Sequence, residues 1–443
     1  MSPPRFLALS IAGLVVAGGI LLWLPFSSAS GHSISFLDAV FTSTSAVCVT
    51  GLTVVDTPVQ FSMPGQVILL LLIQFGGLGY MTLSTVLAAA LGRAVTLQER
   101  LTLQEALNVQ GLEGLVKFAG TVLKFTLAFE LTGAAILAVR WTGEIGPERA
   151  MWYGLFHSVS AFNNAGFSLW SDNLMRWRGD VTVNLVITLL IIVGGLGFFV
   201  LNELAQRGRR IQLSTHTKLA LATTVFLLAS GTIAILVLEW GNPRTLGPLP
   251  MGERLLAAWF QSVSPRTAGF NTIDIGAMTA PALFVTMALM FIGASPGGTG
   301  GGVKTTTFGV TLAALWSTVR GGEEPEFFGR RLSSDTVARA FFVSLIAFLA
   351  LNLTGGLVLM SERRDLLRTL FETTSAFGTV GLSMGENGSA VSLSGFFSPI
   401  GKILIMVMMF MGRVGPLTLA FAVAKRGTQR ARIRYPEGKV LIG

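Results

Sequence analysis

The chain has 443 residues, 51% of them hydrophobic and 12% charged, and a mean hydropathy of +0.66, which excludes an ordinary soluble globule and marks an integral membrane protein. The net charge of +9 does not indicate nucleic-acid binding, because the basic residues fall between hydrophobic runs rather than on one soluble domain. The single cysteine, Cys48, excludes an intrachain disulfide and a cysteine metal site, and His32, His157 and His216 lack any metal-ligand spacing.

In chain order, the first apolar run, residues 5–24, is longer than a signal-peptide core and reads as a retained span. A stretch of about a dozen residues, 35–46, follows and is too short to cross a bilayer at about 1.5 Å per residue. It leads into the polar segment FTSTSAVCVTGL, ending at Leu52, and then a second run at 67–91 carrying GGLG at Gly76 to Gly79. The same order returns with a run at 118–139, a short stretch at 150–161, FHSVSAFNNAGF ending at Phe167, and a run at 181–201 with GGLG at Gly194 to Gly197. A third copy has a run at 219–238, a short stretch at 253–264 and FQSVSPRTAGF ending at Phe270, after which the second run is interrupted by GASPGGTGGGVKTTT over 293–307. A fourth has runs at 340–360 and 400–424 flanking the short stretch 365–376 and FETTSAFGTVGL ending at Leu382, with GRVG at Gly412 to Gly415.

Gly51, Gly166, Gly269 and Gly381 recur at intervals of about 100 to 115 residues, and a glycine cluster follows each by about 24 to 31. The pattern predicts an all-α membrane protein of four helix, re-entrant pore helix and filter loop, helix units in a pseudo-fourfold arrangement around one pore. It has eight spanning helices and units at 1–110, 111–211, 212–330 and 331–443. A chain that enters and leaves by one face at membrane depth is tolerated only where protein or water surrounds it.

To leave water, an alkali cation must exchange its hydration oxygens for others at similar distance, and rings of backbone carbonyls supply them without titratable charge. A carbonyl ladder needs alternating backbone signs, and glycine adopts positive φ at little steric cost. The expected filter is therefore Val49, Thr50 and Gly51, Asn164, Ala165 and Gly166, Thr267, Ala268 and Gly269, and Thr379, Val380 and Gly381. The short helices end where these segments begin, so their negative dipole ends favour a cation and repel an anion. The third segment is one residue shorter and carries Arg266, expected to brace the structure from behind.

Pro296 and the glycines that follow cannot continue an α-helix, so 293–307 is expected to form an intramembrane loop lining the cavity. Gly297, Gly298, Gly300, Gly301, Gly302 and Lys304 are the gate residues of that loop. The string is not a phosphate loop, because Val303 separates Gly302 from Lys304 and no strand precedes it. Arg413 places a cation in the middle of a span, where by default it faces an aqueous cavity or a partner. It is expected just under the filter, hydrogen-bonded to loop carbonyls and raising the barrier to a passing cation.

Arg93 and Arg100, then Arg207, Arg209 and Arg210, then Arg320, Arg330 and Arg331, and finally the basic tail 425–439 occupy alternate connections, which puts them and both termini in the cytoplasm and the filter outside. Arg363, Arg364 and Arg368 are external exceptions. An alternating-access transporter would need membrane carboxylates, for which the sequence offers little beyond Glu130 and Glu203, read as near helix ends. A membrane enzyme would need a nucleophile and base at one depth, and no such pair occurs.

SAVCVTGLTVVDT, SAFNNAGFSL, SVSPRTAGFNTID and SAFGTVGLS, with PGGTGGGVKT and MGRVGPLT, together resemble the Trk/Ktr/HKT superfamily of potassium transporters from the first helix to the last. The chain lacks the extra N-terminal helices of Trk-type members and is most similar to the membrane subunits of Ktr systems. The resemblance implies potassium uptake across the cell membrane, a homodimer in the lipid bilayer and a cytoplasmic nucleotide-binding RCK ring of the KtrA type controlling the gate. It carries the filter, gate-loop and pore-arginine roles onto the residues named above. Potassium is the transported ion, with sodium as a candidate activator and ATP or ADP on the partner, since this chain has no nucleotide fingerprint and no cofactor of its own. Members with serine at the first filter position tend toward sodium, whereas Gly51 favours potassium; a sodium-permeable member is the nearest alternative.

Overall fold

In the computed structural model, the described residues are 3–79, 101, 104, 115–206, 212–322, 324–386, 389–415 and 418. Four long helices have the length and apolarity of membrane spans: α1 (Pro3–Trp23), α4 (Leu115–Ile145), α8 (Thr215–Glu239) and α12 (Ser334–Glu362). Each is the first helix of one unit. Their outward faces are apolar and exposed, Val139 at 78% and Met360 at 77% among them, which is how a helix presents itself to lipid rather than water.

Each long helix is followed by a short one: α2 (Phe36–Val47), α5 (Pro147–Phe162), α9 (Met251–Val263) and α13 (Leu366–Gly378). These agree with the expected re-entrant stretches to within a few residues. The inner helices come next: α3 (Met63–Leu78), α6 (Val181–Leu196) with α7 (Phe198–Gln206), α10 (Ala280–Phe291) with α11 (Thr305–Val319), and α14 (Pro399–Val414). A short hairpin, β1 (Glu326–Phe327) and β2 (Arg330–Arg331), lies between α11 and α12.

The inner helices share a start signal. Ser62, Asp180, Thr279 and Ser398 each stand at the N-cap and accept a hydrogen bond from the backbone N–H three residues on, satisfying a donor that the helix itself cannot. Pro64, Pro281 and Pro399 sit in the first turn, where no intrahelical N–H is needed.

The inner helices also share a stop. The runs at 67–91, 181–201 and 400–424 were expected to be continuous; 181–201 is not, while residues 80–91 and most of 416–424 lie outside the described residues. α3, α6 and α14 halt at Gly79, Gly197 and Gly415, whose φ values are +76°, +92° and +89°. α6 and α7 then meet at a bend of 97°. Sixteen residues rise about 24 Å, less than the roughly 30 Å hydrocarbon thickness, so α6 turns at Gly197 before it has run that length. Among the described residues, interruption is thus seen in the second unit and, in extended form, in the third.

Each inner helix packs against the pore helix of the following unit: α3 on α5, α6 on α9, α10 on α13, and α14 back on α2. That last contact closes the ring, giving the pseudo-fourfold arrangement. Of the expected unit boundaries, residues 110 and 211 lie outside the described residues, as do Arg93, Arg100, Arg207, Arg209, Arg210 and the tail 425–439, while 330 falls within the hairpin.

Candidate ion pathway

The four filter segments converge. A Cβ placed on Gly51 would lie 2.4 Å from the Ala165 carbonyl oxygen, on Gly166 2.8 Å from that of Ala268, on Gly269 2.2 Å from that of Val380, and on Gly381 2.2 Å from that of Thr50. Each segment therefore abuts the next, and the fourth returns to the first around a common axis. The glycines have φ of +90°, +71°, +74° and +94°.

Two residues earlier in each segment, Val49, Asn164, Thr267 and Thr379 also have positive φ, at +56°, +58°, +80° and +49°. Only glycine was expected to do this. Three of the four are β-branched, for which this region is a genuine outlier, and strain of about 1–3 kcal/mol each persists only where surroundings enforce it. The left-handed residues flank Thr50, Ala165, Ala268 and Val380, so the backbone sign alternates as a carbonyl ladder requires.

Serines hold the ladder in place. Ser45 Oγ and Ser375 Oγ accept hydrogen bonds from the Gly51 and Gly381 N–H groups at 3.0 Å each. Ser160 Oγ donates to the Phe167 carbonyl at 2.8 Å, and Ser264 Oγ donates to that of Phe270. Two residues back on the pore helices, Ser43, Ser158 and Ser262 donate to the Val15, Glu130 and Leu228 carbonyls of the outer helices at 2.7, 2.6 and 2.8 Å. Both sets recur in the sequence as the serines of STSA, SVSA and SVSP, a signal that a search for glycines passes over.

Above the glycines, a cavity of about 170 Å³ is lined by all four of them and by Asp56, Asp172 and Asp274. An acidic residue follows every filter glycine by five or six positions, Glu386 being the fourth, and this repeat also went unread at the sequence level. Asp172 pairs with Arg176 at 2.8 Å and Glu386 with Arg364 at 2.7 Å. Asp56 and Asp274 instead accept from the Ser171 hydroxyl and the Gly276 N–H, at 2.6 and 2.9 Å, leaving their charge to the cavity. Unit charges about 10 Å apart in water interact by about 0.4 kcal/mol, so the double substitution Asp56→Asn, Asp274→Asn is expected to lower cation uptake about three- to fourfold at low ionic strength. The deficit should vanish in high salt, where the Debye length falls to about 3 Å at 1 M; an equal deficit at all salt concentrations would mean lost structure instead.

Below the filter lies the glycine-rich loop. Ile292 and Val303 form a parallel bridge, with Gly293 N–H donating to the Val303 carbonyl at 2.9 Å. A Cβ on Gly300 would sit 2.0 Å from Thr267 Oγ1, and one on Gly301 would sit 2.4 Å from Thr379 Oγ1. No side chain fits there. The loop is tied to the second unit by Ser295 N–H and Thr299 N–H, which donate to the Gly195 and Gly194 carbonyls at 2.9 and 3.1 Å, and by Gly297, whose carbonyl accepts from Phe198 N–H at 3.0 Å. It is tied to the fourth filter segment by Gly301 N–H, which donates to Thr379 Oγ1 at 3.1 Å. Lys304 Nζ turns back onto the Gly300 carbonyl at 2.7 Å, and Gly298 and Gly302 lie against the Gly194 carbonyl and Gly293.

Arg413 bridges the first, third and fourth units. It donates to the Thr299 carbonyl of the loop, to that of Gly76, and to that of Gly77 at 2.9 Å. The planar guanidinium fork suits three converging carbonyls better than an ammonium would. Arg266, on the third filter segment, donates from Nη2 to the Gly293 carbonyl at 3.4 Å.

Glu130 corrects an expectation. It lies in the middle of α4, not near an end, and is 3% exposed. Its carboxylate accepts from Gln74 at 3.2 Å and Asn163 at 2.9 Å. The apolar run at 118–139 already has residue 130 near its centre, so this placement was open to the sequence.

With this geometry in hand, the chain matches the family model TrkH, described as cation transport protein, over residues 12–433. The chain belongs to the TrkH family. Among its relatives, Ktr system potassium uptake protein B of Bacillus subtilis is 42% identical over 100% of this chain and 97% of its own length. The protein of the same name from Vibrio alginolyticus is 41% identical, covering 99% and 95%. Potassium/sodium uptake protein NtpJ of Enterococcus hirae is 39% identical, covering 100% and 98%. The crystal structure of the potassium transporter TrkH from Vibrio parahaemolyticus shares the fold, with a TM-score of 0.74 over 96% of this chain and 85% of that one at 20% identity.

Proposed function

We propose that this TrkH-family protein is the membrane subunit of a potassium uptake system of the cell membrane, passing dehydrated potassium through four rings of main-chain oxygens. The observation that carries the reading is the cyclic contact of Gly51, Gly166, Gly269 and Gly381, each against the carbonyl preceding its neighbour's glycine. Carbonyls from four strands about one axis replace a hydration shell, the pore-helix carboxyl ends add partial negative charge, and the acidic mouth concentrates cations.

The loop at 293–304 and Arg413 form the gate in this reading. The names of the relatives carry a Ktr system, so the chain acts with a regulatory subunit, a cytoplasmic RCK ring that binds ATP or ADP, and as a homodimer. In the same reading the four units are 1–110, 111–211, 212–330 and 331–443, with the filter outside and both termini in the cytoplasm, as the alternating basic connections suggest.

Purified protein in liposomes should pass potassium in preference to sodium under equal gradients. Equal permeation by both ions would reject the selectivity claim and favour a sodium-permeable member, a reading that the name of the Enterococcus relative keeps in play. Glu130→Gln separates a pore from a carboxylate-coupled transporter. In a pore, the neutral amide keeps one of the two acceptor oxygens that Gln74 and Asn163 donate to and uptake stays within about twofold of the parent, whereas loss of uptake with unchanged thermal stability would favour coupling.

A further inference from the structure

Arg266 is 7% exposed, and among the described residues it has no carboxylate partner. Its Nε meets no acceptor, and the Thr224 hydroxyl nearby is likewise unpartnered. Both residues line a small, partly enclosed space between α6 and α8, walled by Ile191, Ile192, Leu228 and Val263, which leaves about 10 Å³ for the centre of a water-sized particle. A buried cation is retained only where something compensates it. The one acceptor it reaches, the Gly293 carbonyl, is neutral, and the nearby carboxyl end of α6 supplies about half an elementary charge at most.

We propose that this cavity binds one monovalent anion of halide size, chloride under cellular conditions, held by the Arg266 guanidinium and the Thr224 hydroxyl. The donor set is suited to an anion: a guanidinium offers N–H groups and no acceptor, and a threonine hydroxyl can donate to the same point. The volume admits one small occupant, while carboxylates and phosphates are too large. The position gives the anion a role. Arg266 directly precedes Thr267 of the third filter segment, so an uncompensated guanidinium would repel a cation held there, and a bound anion cancels that charge.

Anion binding itself does not depend on which ion crosses the pore, so it is tested without transport. Thermal unfolding of the purified full-length protein is followed in N-methylglucamine chloride, bromide or gluconate at equal ionic strength. Chloride and bromide should raise Tm by about 2 °C or more over gluconate, as a ligand of the native state does. The rise should disappear in Thr224→Ile, which fills the cavity, and in Arg266→Gln. Crystals grown in bromide should show an anomalous peak beside Arg266 Nε. Equal Tm in the three salts, a halide shift that survives Thr224→Ile, or a site without a bromide signal would each overturn the proposal and assign the cavity to water.

The linkage to the filter rests on the potassium reading. Replacing chloride by gluconate should raise the half-saturating potassium concentration about fivefold in the parent and leave Thr224→Ile unchanged. An unaltered value in the parent, with the thermal shift intact, would keep the anion and remove its influence on the pore.

Discussion

Gly381→Ser is expected to lower the potassium-to-sodium permeability ratio at least about tenfold, a change of about 1.4 kcal/mol in the difference between the two ions. The physical cause is space added to backbone angle, since a φ of +94° already disfavours a side chain at Gly381. Val49, Thr267 and Thr379 hold side chains at positive φ two residues before each glycine, so the sign of φ alone does not exclude one. At Gly381 the added Cβ would lie 2.2 Å from the Thr50 carbonyl oxygen and 3.0 Å from Gly51 Cα. Both contacts are backbone, so nothing flexible can move aside. The Thr50 carbonyl must rotate or the ring must widen, and a wider or less complete ring replaces the hydration of potassium poorly. Gly51→Ser should act the same way through the Ala165 carbonyl, 2.4 Å from its Cβ. Liposome flux under paired potassium and sodium gradients reads the ratio, with thermal unfolding run alongside to separate collapse from altered selectivity. A well-folded Gly381→Ser protein with parental selectivity would show that the glycine ring is not where ions are told apart.

What the sequence disclosed depended on whether a signal was repeated and where one looked. The short helices were legible because about a dozen residues cannot cross a bilayer, and the glycines because four aligned copies leave little to chance. The stops at Gly79, Gly197 and Gly415 were hidden by hydropathy, which stays high through GGLG whether or not the helix continues. Their left-handed φ is a property of tertiary position: the preceding glycines Gly76, Gly194 and Gly412 press against the Val47, Phe162 and Phe377 carbonyls at the ends of the pore helices. The positive φ of Val49, Thr267 and Thr379 opposes local preference and could not be read from residue type. The serines at 45, 160, 264 and 375 and the acidic residues of the mouth recur once per unit and were readable in principle, but a serine or a carboxylate, unlike a glycine, carries no backbone signature that singles it out. Glu130 was readable as well, since it stands near the centre of the apolar run at 118–139; what the run could not show is that Gln74 and Asn163 receive its carboxylate.

Arg413→Ala is expected to raise cation flux at least about tenfold. In the parent, the guanidinium joins the Thr299 carbonyl of the loop to those of Gly76 and Gly77, so two effects oppose passage at one level. The first is steric, since the side chain spans from the fourth unit to its neighbours on both sides. The second is electrostatic: at an effective dielectric constant near 20, unit charges about 6 Å apart repel by about 2–3 kcal/mol, worth about 30- to 100-fold in rate. Truncation to alanine removes both. It also frees three carbonyls to face the pathway, where they would solvate a cation rather than hinder it. Arg413→Lys separates the two effects, because an ammonium keeps the charge but cannot span three acceptors as a planar fork does. Its flux should fall between those of the parent and the alanine variant, and the loop, released from one of its anchors, should become more accessible to modification at a cysteine introduced at Thr299. If Arg413→Ala conducts at the parental rate while remaining folded and selective, the barrier lies elsewhere, and the loop's ties to Gly194, Gly195 and Thr379 become the place to look for it.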